Sequence, residues 1–346
     1  MLLKELSEAI GISGKEDAVR KIIVDALRDH VDDLKIDPMG SVIAFKKGTA
    51  ENPLRVLVAA HMDEVGFMVT GYDGDGLLHF AAVGGIDDRI LPGLRVKVGD
   101  NALNGVVTWT PIHQNRDQNV VKIQNLRIDI GASSKDEAAG KVKRGERIAF
   151  DSRFMELSSG VIRGKALDDR AGCAMLLDVL MAGPYPVDLY AAFTVQEEIG
   201  LRGAQVAAQA VNPDVAFVLE NTTANDLPNP VRQPDDEQDI NPTCFMLGGP
   251  VISFIDRSMI THPKLFAFMR DTAVANEIPF QYKTTPGGGT DGGAIHTANG
   301  GARTGVISLP CRYIHSPSTY LNQQDYDNGL RLAKALLQSI TPEILA

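Results

Sequence analysis

The chain has 346 residues, 44% hydrophobic and 23% charged, with a formal net charge of -10. That length allows a full core and two domains, and the composition is that of a folded globular chain rather than a disordered one. The acidity argues against nucleic acid or an anionic membrane as partner, because those surfaces demand clustered Lys and Arg. Apolar runs stop well short of the roughly 20 residues of a membrane helix, and Met1-Leu2-Leu3-Lys4-Glu5 lacks a signal-peptide layout, so the expected location is cytoplasmic. Cys173, Cys244 and Cys311 are isolated and odd in number, and they are expected to be ordinary buried thiols rather than a disulfide framework.

In chain order, residues 3–29 carry helical periodicity broken at Ser13-Gly14, which predicts two short helices. Residues 31–37, the turn Pro38-Met39-Gly40 and residues 41–45 predict a hairpin beside a first buried strand, Val56-Leu57-Val58-Ala59-Ala60. From about Phe67 to Ile162 short runs broken by Gly, Asp and Asn predict a small β barrel or sandwich. Strand-plus-helix texture resumes at Lys165. The β region, residues 67–161, is therefore expected to be inserted into a discontinuous α/β domain of residues 1–66 and 162–346. Helices are expected over 170–182, 261–275 and 325–339. A stretch over 226–241, with the acidic run Asp235-Asp236-Glu237-Gln238-Asp239, is expected to be a mobile loop near the site.

Three apolar runs lead into acids or imidazole: 56–60 into His61-Met62-Asp63-Glu64, 189–195 into Gln196-Glu197-Glu198, and 215–219 into Glu220. Ligands of open α/β sheets bind outside the carboxyl ends of the strands, so these side chains can converge there. Asp168-Asp169 marks a strand-to-helix junction, where an anionic pair faces a positive helix end; Asp169 as a plain helix cap is the alternative, and both can hold. His315 follows the apolar run 306–309. His61 and Asp63 share one side of an extended segment, which predicts His61 as a ligand and Asp63 as acceptor of its other ring N–H. Alone that pair is weak, since a strand-end His is more often simply hydrogen-bonded. Adjacent Glu197 and Glu198 would repel unless cations or a shared proton stabilised them, and as neighbours in an extended chain they point to opposite faces, so one can bind metal while the other faces the substrate water, which assigns Glu198 to metal and Glu197 to general base.

A carboxylate can bridge two cations about 3.5–4 Å apart, a role that falls to Asp168. The set His61, Asp168, Glu198, Glu220 and His315 suits a pair of Zn²⁺, Co²⁺ or Mn²⁺ ions. His30, His79, His113, His262 and His296 are expected to be structural or exposed. The run Gly287-Gly288-Gly289-Thr290-Asp291-Gly292-Gly293 permits close backbone approach to a ligand but lacks the ending of a P-loop.

Together, Ala60-His61-Met62-Asp63-Glu64-Val65-Gly66-Phe67-Met68, Lys165-Ala166-Leu167-Asp168-Asp169-Arg170, Val195-Gln196-Glu197-Glu198-Ile199-Gly200-Leu201-Arg202-Gly203, Gly289-Thr290-Asp291-Gly292-Gly293 and Arg312-Tyr313-Ile314-His315-Ser316 look like motifs of one family, in order, across nearly the whole chain. The chain resembles the M42 metallo-aminopeptidases, which include glutamyl and tetrahedral aminopeptidases. The resemblance implies a mixed-sheet, zinc-peptidase-like catalytic α/β domain whose β insert serves dimerisation, and a hollow tetrahedral dodecamer built from dimers. It implies two divalent metals, zinc or cobalt ahead of manganese, on the five ligands named above, with Glu197 as general base. It also implies a cis peptide between Asp168 and Asp169. Many relatives carry Asp where this chain has Glu220, and the acidic run 235–239 belongs to none of the motifs.

The expected activity is removal of N-terminal residues from short peptides by a metal-bridging water whose proton Glu197 accepts. A metallo-hydrolase of N-acylated amino acids or other amides is the enzymatic alternative, because one metal centre serves several leaving groups. A non-catalytic peptide-binding assembly is the alternative from another class.

Overall fold

The computed structural model describes residues 2–111, 113, 119–227, 243–283 and 287–346. Among these, eight strands form one mixed sheet in the order Asp33–Ile36, Val42–Lys46, Asp188–Thr194, Arg55–His61, Val215–Thr223, Arg303–Cys311, Val251–Ser253 and Gln281–Tyr282. The middle four run parallel, and the hairpin strands and Val251–Ser253 add antiparallel flanks. Strand Arg55–His61 shows why the centre is buried. Val56, Val58 and Ala60 enter one apolar core while Leu57 and Ala59 enter a second, so both parities of the strand are apolar, as coverage of both faces requires.

Helices Asp17–Leu27, Leu167–Ala182, Pro263–Ala275 and Gln323–Ser339 contribute to the first core. Arg202–Val211 and the short Gly292–Ile295 contribute to the second. The helix that begins at Leu167 is buried on nearly every side through Leu180, consistent with its run of Ala, Cys, Met and Leu. Its start lies three residues before the predicted one, because the distorted Asp168 and Asp169 still join the first turn. The two N-terminal helices, Leu2–Glu8 and Asp17–Leu27, flank Ser13-Gly14 as expected.

Strands Gly66–Tyr72, Leu78–Val83, Arg95–Val98, Leu103–Val107, Ile128–Asp129 and Arg147–Phe150 close into a barrel whose pairings are all antiparallel. Closure removes the exposed edges that short strands would otherwise present. Phe67 sits at its centre, edge-on to Phe80 and Phe150. All three cysteines are free and buried. No helix among the described residues is long and apolar enough to cross a membrane. The acidic run 235–239 and nearly all of the loop expected over 226–241 lie outside the described residues.

Candidate active site

Sheet order brings the chemistry together. His61 is the last residue of its strand, which lies between Asp188–Thr194 and Val215–Thr223. Glu220 is inside the latter strand rather than past its end, and it is buried. Glu197 and Glu198 lie beyond Thr194 in a turn, not an extended segment. Gln196 takes φ 57° there, so the alternation expected of neighbours in a strand does not apply, and both acids line one cleft. His315, also at positive φ, arrives from the loop after Arg303–Cys311.

The cleft encloses about 870 Å³ and is lined by His61, Asp168, Glu197, Glu198, Glu220 and His315, among others. His61 Nε2 lies 3.5 Å from Asp168 Oδ1 and 3.6 Å from Glu220 Oε1. His315 Nε2 lies 3.2 Å from Asp168 Oδ2 and 3.4 Å from Glu198 Oε1. The two oxygens of Asp168 thus face two different imidazoles. The Asp168–Asp169 peptide is cis.

Electrostatics follow from crowding acids in a dry space. Burial, with the Asp168 charge beside them, pushes Glu198 up to about 8 and Glu220 up to about 7, the latter against the pull of His61. Burial holds Glu197 and Asp169 well above the usual carboxylate range, with Glu220 adding to both. Burial acts on Asp168 in the same sense, but the nearby imidazoles of His315 and His61 outweigh it and hold that carboxyl low. Burial opposes the charge on His315 too, yet Asp168 and Glu198 push it up to about 9. Asp168 Oδ1 is buried with no hydrogen-bond partner among the described residues. Mutually repelling carboxylates, two imidazoles and an orphaned oxygen make a donor set that divalent transition metals fit, since a cation lets the acids ionise together. Donor atoms of His61, Asp168 and Glu198 lie within 4.8 Å of one another, as do those of His61, Asp169 and Glu220.

Asp169 serves both roles expected of it, capping its helix and joining the site. Its carboxylate accepts from the His61 amide at 3.1 Å, the Gly172 amide at 2.9 Å and Asn221 Nδ2 at 3.1 Å. A Cβ at Gly172 would overlap that carboxylate, so the glycine is required. The Gly172 amide is the capping contact, and the other two reach across the fold. Asp291 is fully buried, bonded to Thr194 Oγ1 through Oδ2 and without a partner on Oδ1 among the described residues. Its only sequence signal was the glycine run around it. His296 is not among the residues lining the cleft, and its Nδ1 lies 3.0 Å from the Gly292 carbonyl.

Asp63 departs from its expected contact. The nearest acceptor to His61 Nδ1 is the main-chain carbonyl of Asp63 at 3.0 Å, with the carboxylate at 3.4 Å. The carboxylate instead accepts from the amides of Glu197 at 2.9 Å and Glu198 at 3.2 Å, and from Ser13 Oγ at 2.6 Å.

Nearby Glu16 is 3% exposed, and burial, with the charge of Asp63, pushes it from 4.5 up to about 7. The native state then holds more protons than the unfolded chain between those values, so the Glu16 contribution lowers stability as pH rises through 4.5 to 7 and is constant above. Glu16→Gln should flatten that slope and, above pH 7, exceed the wild type by up to roughly 3 kcal/mol. Denaturant unfolding of metal-free protein across this range checks it, and identical pH profiles for the two proteins would refute it.

With this geometry in place, likeness to known proteins is informative. The family described as M42 glutamyl aminopeptidase matches residues 40–332. The lysyl aminopeptidase of Pyrococcus furiosus is 37% identical over 99% of this chain and 97% of its own. An aminopeptidase structure from the archaeon Desulfurococcus kamchatkensis superposes with a TM-score of 0.93 at 35% identity, covering 99% of this chain and 95% of that one. The Pyrococcus horikoshii TET1 peptidase, described as able to assemble into a tetrahedron or a large octahedral shell, superposes with a TM-score of 0.85 at 33% identity over 98% of this chain and 99% of its own. The chain belongs to the M42 peptidase family and is a hydrolase of the aminopeptidase type.

Proposed function

We propose that the chain removes N-terminal residues from short peptides, with His61, Asp168, Glu198, Glu220 and His315 holding two divalent cations, zinc or cobalt ahead of manganese. The observation that carries this reading is the convergence of imidazole and carboxylate from separate strands and loops into one cleft, with the Asp168 oxygens divided between His61 and His315. When bound, the cations supply Lewis-acid polarisation of the scissile carbonyl and a water of lowered pKa. Glu197 accepts that water's proton at its carboxylate and returns it to the leaving amine. Asp63 holds the backbone of Glu197 and so orients the base. Asp169 fixes the strand end through the His61 amide.

The same cleft supports a preference for acidic N-terminal side chains. Arg257, Lys283 and Asp256 line it. The Asp256 carboxylate is already occupied by the amides of Ser258 and Met259 and the hydroxyls of Ser258 and Thr290. Lys283 donates to the Gly287 carbonyl, and among the described residues neither cation has a carboxylate partner. An incoming Glu or Asp side chain would supply one, whereas Lys would meet like charge. In a panel of aminoacyl reporters, glutamyl and aspartyl substrates should be cleaved fastest. Arg257→Met should cut kcat/KM for them roughly 10–100-fold while changing leucyl turnover little. Preference for lysyl reporters would sink the assignment. Reporters with blocked N-termini in the same panel separate an aminopeptidase from an acyl-amino-acid hydrolase.

Residues 67–161 serve, in this reading, as an inserted oligomerisation domain carried by the segments 1–66 and 162–346. The chain forms homo-oligomers, a tetrahedral dodecamer of dimers, as assembly of the related Pyrococcus horikoshii peptidase supports. A cytoplasmic location completes the proposal.

A further inference from the structure

The break at Ser13-Gly14 separates the first two helices but has no part in the function so far. Gly14 takes φ 78°, which a side chain would strain, and the Lys15 amide closes the turn on the Ile12 carbonyl at 2.8 Å. That turn points Ser13 inward, 1% exposed, with Oγ donating to Asp63 Oδ2. The segment carrying it is fixed in turn. Arg147 Nε donates to the Ser13 carbonyl at 3.1 Å, the Glu64 amide to the Gly11 carbonyl at 3.0 Å, and the Gly11 amide to Glu64 Oε1 at 3.1 Å.

Glu197 and Glu198 occupy a turn without strand pairing, so their amides depend on the Asp63 carboxylate for partners. A carboxylate bonded only to those amides can still swing with them; a third, anchored donor fixes its plane. We propose that Ser13 is a positioning residue that acts through Asp63 to set the turn presenting Glu197 and Glu198. Its hydroxyl completes the acceptor geometry of a buried anion, and the N-terminal turn supplies the rigidity. The kinetic consequence rests on the aminopeptidase reading with Glu197 as base; the structural consequence does not.

Hydrogen exchange on the metal-free full-length chain reads the structural part. Ser13→Ala should speed exchange in the segment 195–201 by at least about fivefold, leave strand Arg55–His61 unchanged, and preserve the thermal midpoint. Ser13→Cys, nearly the same size with a weak S–H donor, should fall between. With metal restored, Ser13→Ala should lower kcat roughly tenfold with KM within about twofold. In an Asp63→Asn background the same change should cost less than about twofold, because its route is already cut. Unchanged exchange over 195–201, exchange quickened uniformly through residues 2–27, or full additivity with Asp63→Asn would each overturn the proposal. A wild type that cleaves no peptide would defeat the aminopeptidase reading alone and leave the exchange result to decide Ser13.

Discussion

Glu197→Gln is expected to lower kcat by roughly 10²–10⁴-fold while leaving fold and bound metal intact. The amide keeps the size of the side chain and its place on the cleft wall, and the Glu197 main-chain amide still reaches Asp63 at 2.9 Å. What disappears is the capacity to take a proton. Burial, with Glu220, Asp291 and Glu198 nearby, already pushes the Glu197 carboxyl well above the usual carboxylate range, against the pull of His61. A carboxyl raised in this direction holds an accepted proton more readily than an ordinary glutamate. KM should move little, since the change removes an interaction realised in the transition state rather than in substrate binding. Steady-state kinetics beside metal stoichiometry tests this. Turnover equal to wild type at full metal content would remove Glu197 from the base role.

The legible part of this molecule was the part written in short-range pattern. Apolar runs of both parities announced buried strands, and Gly- and Asp-punctuated texture announced the barrel between Gly66 and Phe150. His61, Asp168, Glu197, Glu198, Glu220 and His315 stood out because charge at the end of an apolar run is costly without a partner, and all of them line the cleft. What the sequence hid depends on contacts made across the fold. Asp169 caps its helix locally through the Gly172 amide, whereas its contacts with the His61 amide and Asn221 Nδ2 span more than a hundred and some fifty residues respectively. Ser13 bonds Asp63 across 50 positions, and Arg170 reaches Met62 across 108. Glu197 and Glu198 were read as strand neighbours because nothing in their immediate sequence revealed that Gln196 would turn left-handed.

Replacing Arg170 by Met should destabilise the metal-free protein by about 3–5 kcal/mol, the cost of breaking a buried charge network on one side. Arg170 is fully buried. Its Nε donates to the Met62 carbonyl at 2.8 Å, and its terminal nitrogens to the carbonyls of Leu6 at 2.5 Å, Ala9 at 3.0 Å and Gly11 at 3.4 Å. It also lies 3.4 Å from Glu64 Oε1, the oxygen that takes Lys165 Nζ at 2.7 Å. Methionine fills much of the volume and satisfies none of these acceptors. Lys165 would remain with Glu64, and its ammonium, which burial together with the Arg170 charge pushes down to about 8, would become easier to protonate. Some of the electrostatic loss is thereby recovered, and the Ala9 and Gly11 carbonyls keep Lys165 Nζ and the Glu64 amide, while the Met62 carbonyl loses the Arg170 donor. Metal-free protein is the right sample for the measurement, because cations bind only the native state and any change in their affinity would be folded into the difference. Met62 lies between His61 and Asp63, so a loosened Met62 carbonyl should also disturb the imidazole and the clamp on Glu197. A destabilisation below about 1 kcal/mol in urea would mean that the N-terminal segment is held by its apolar contacts alone, with the guanidinium dispensable to the scaffold.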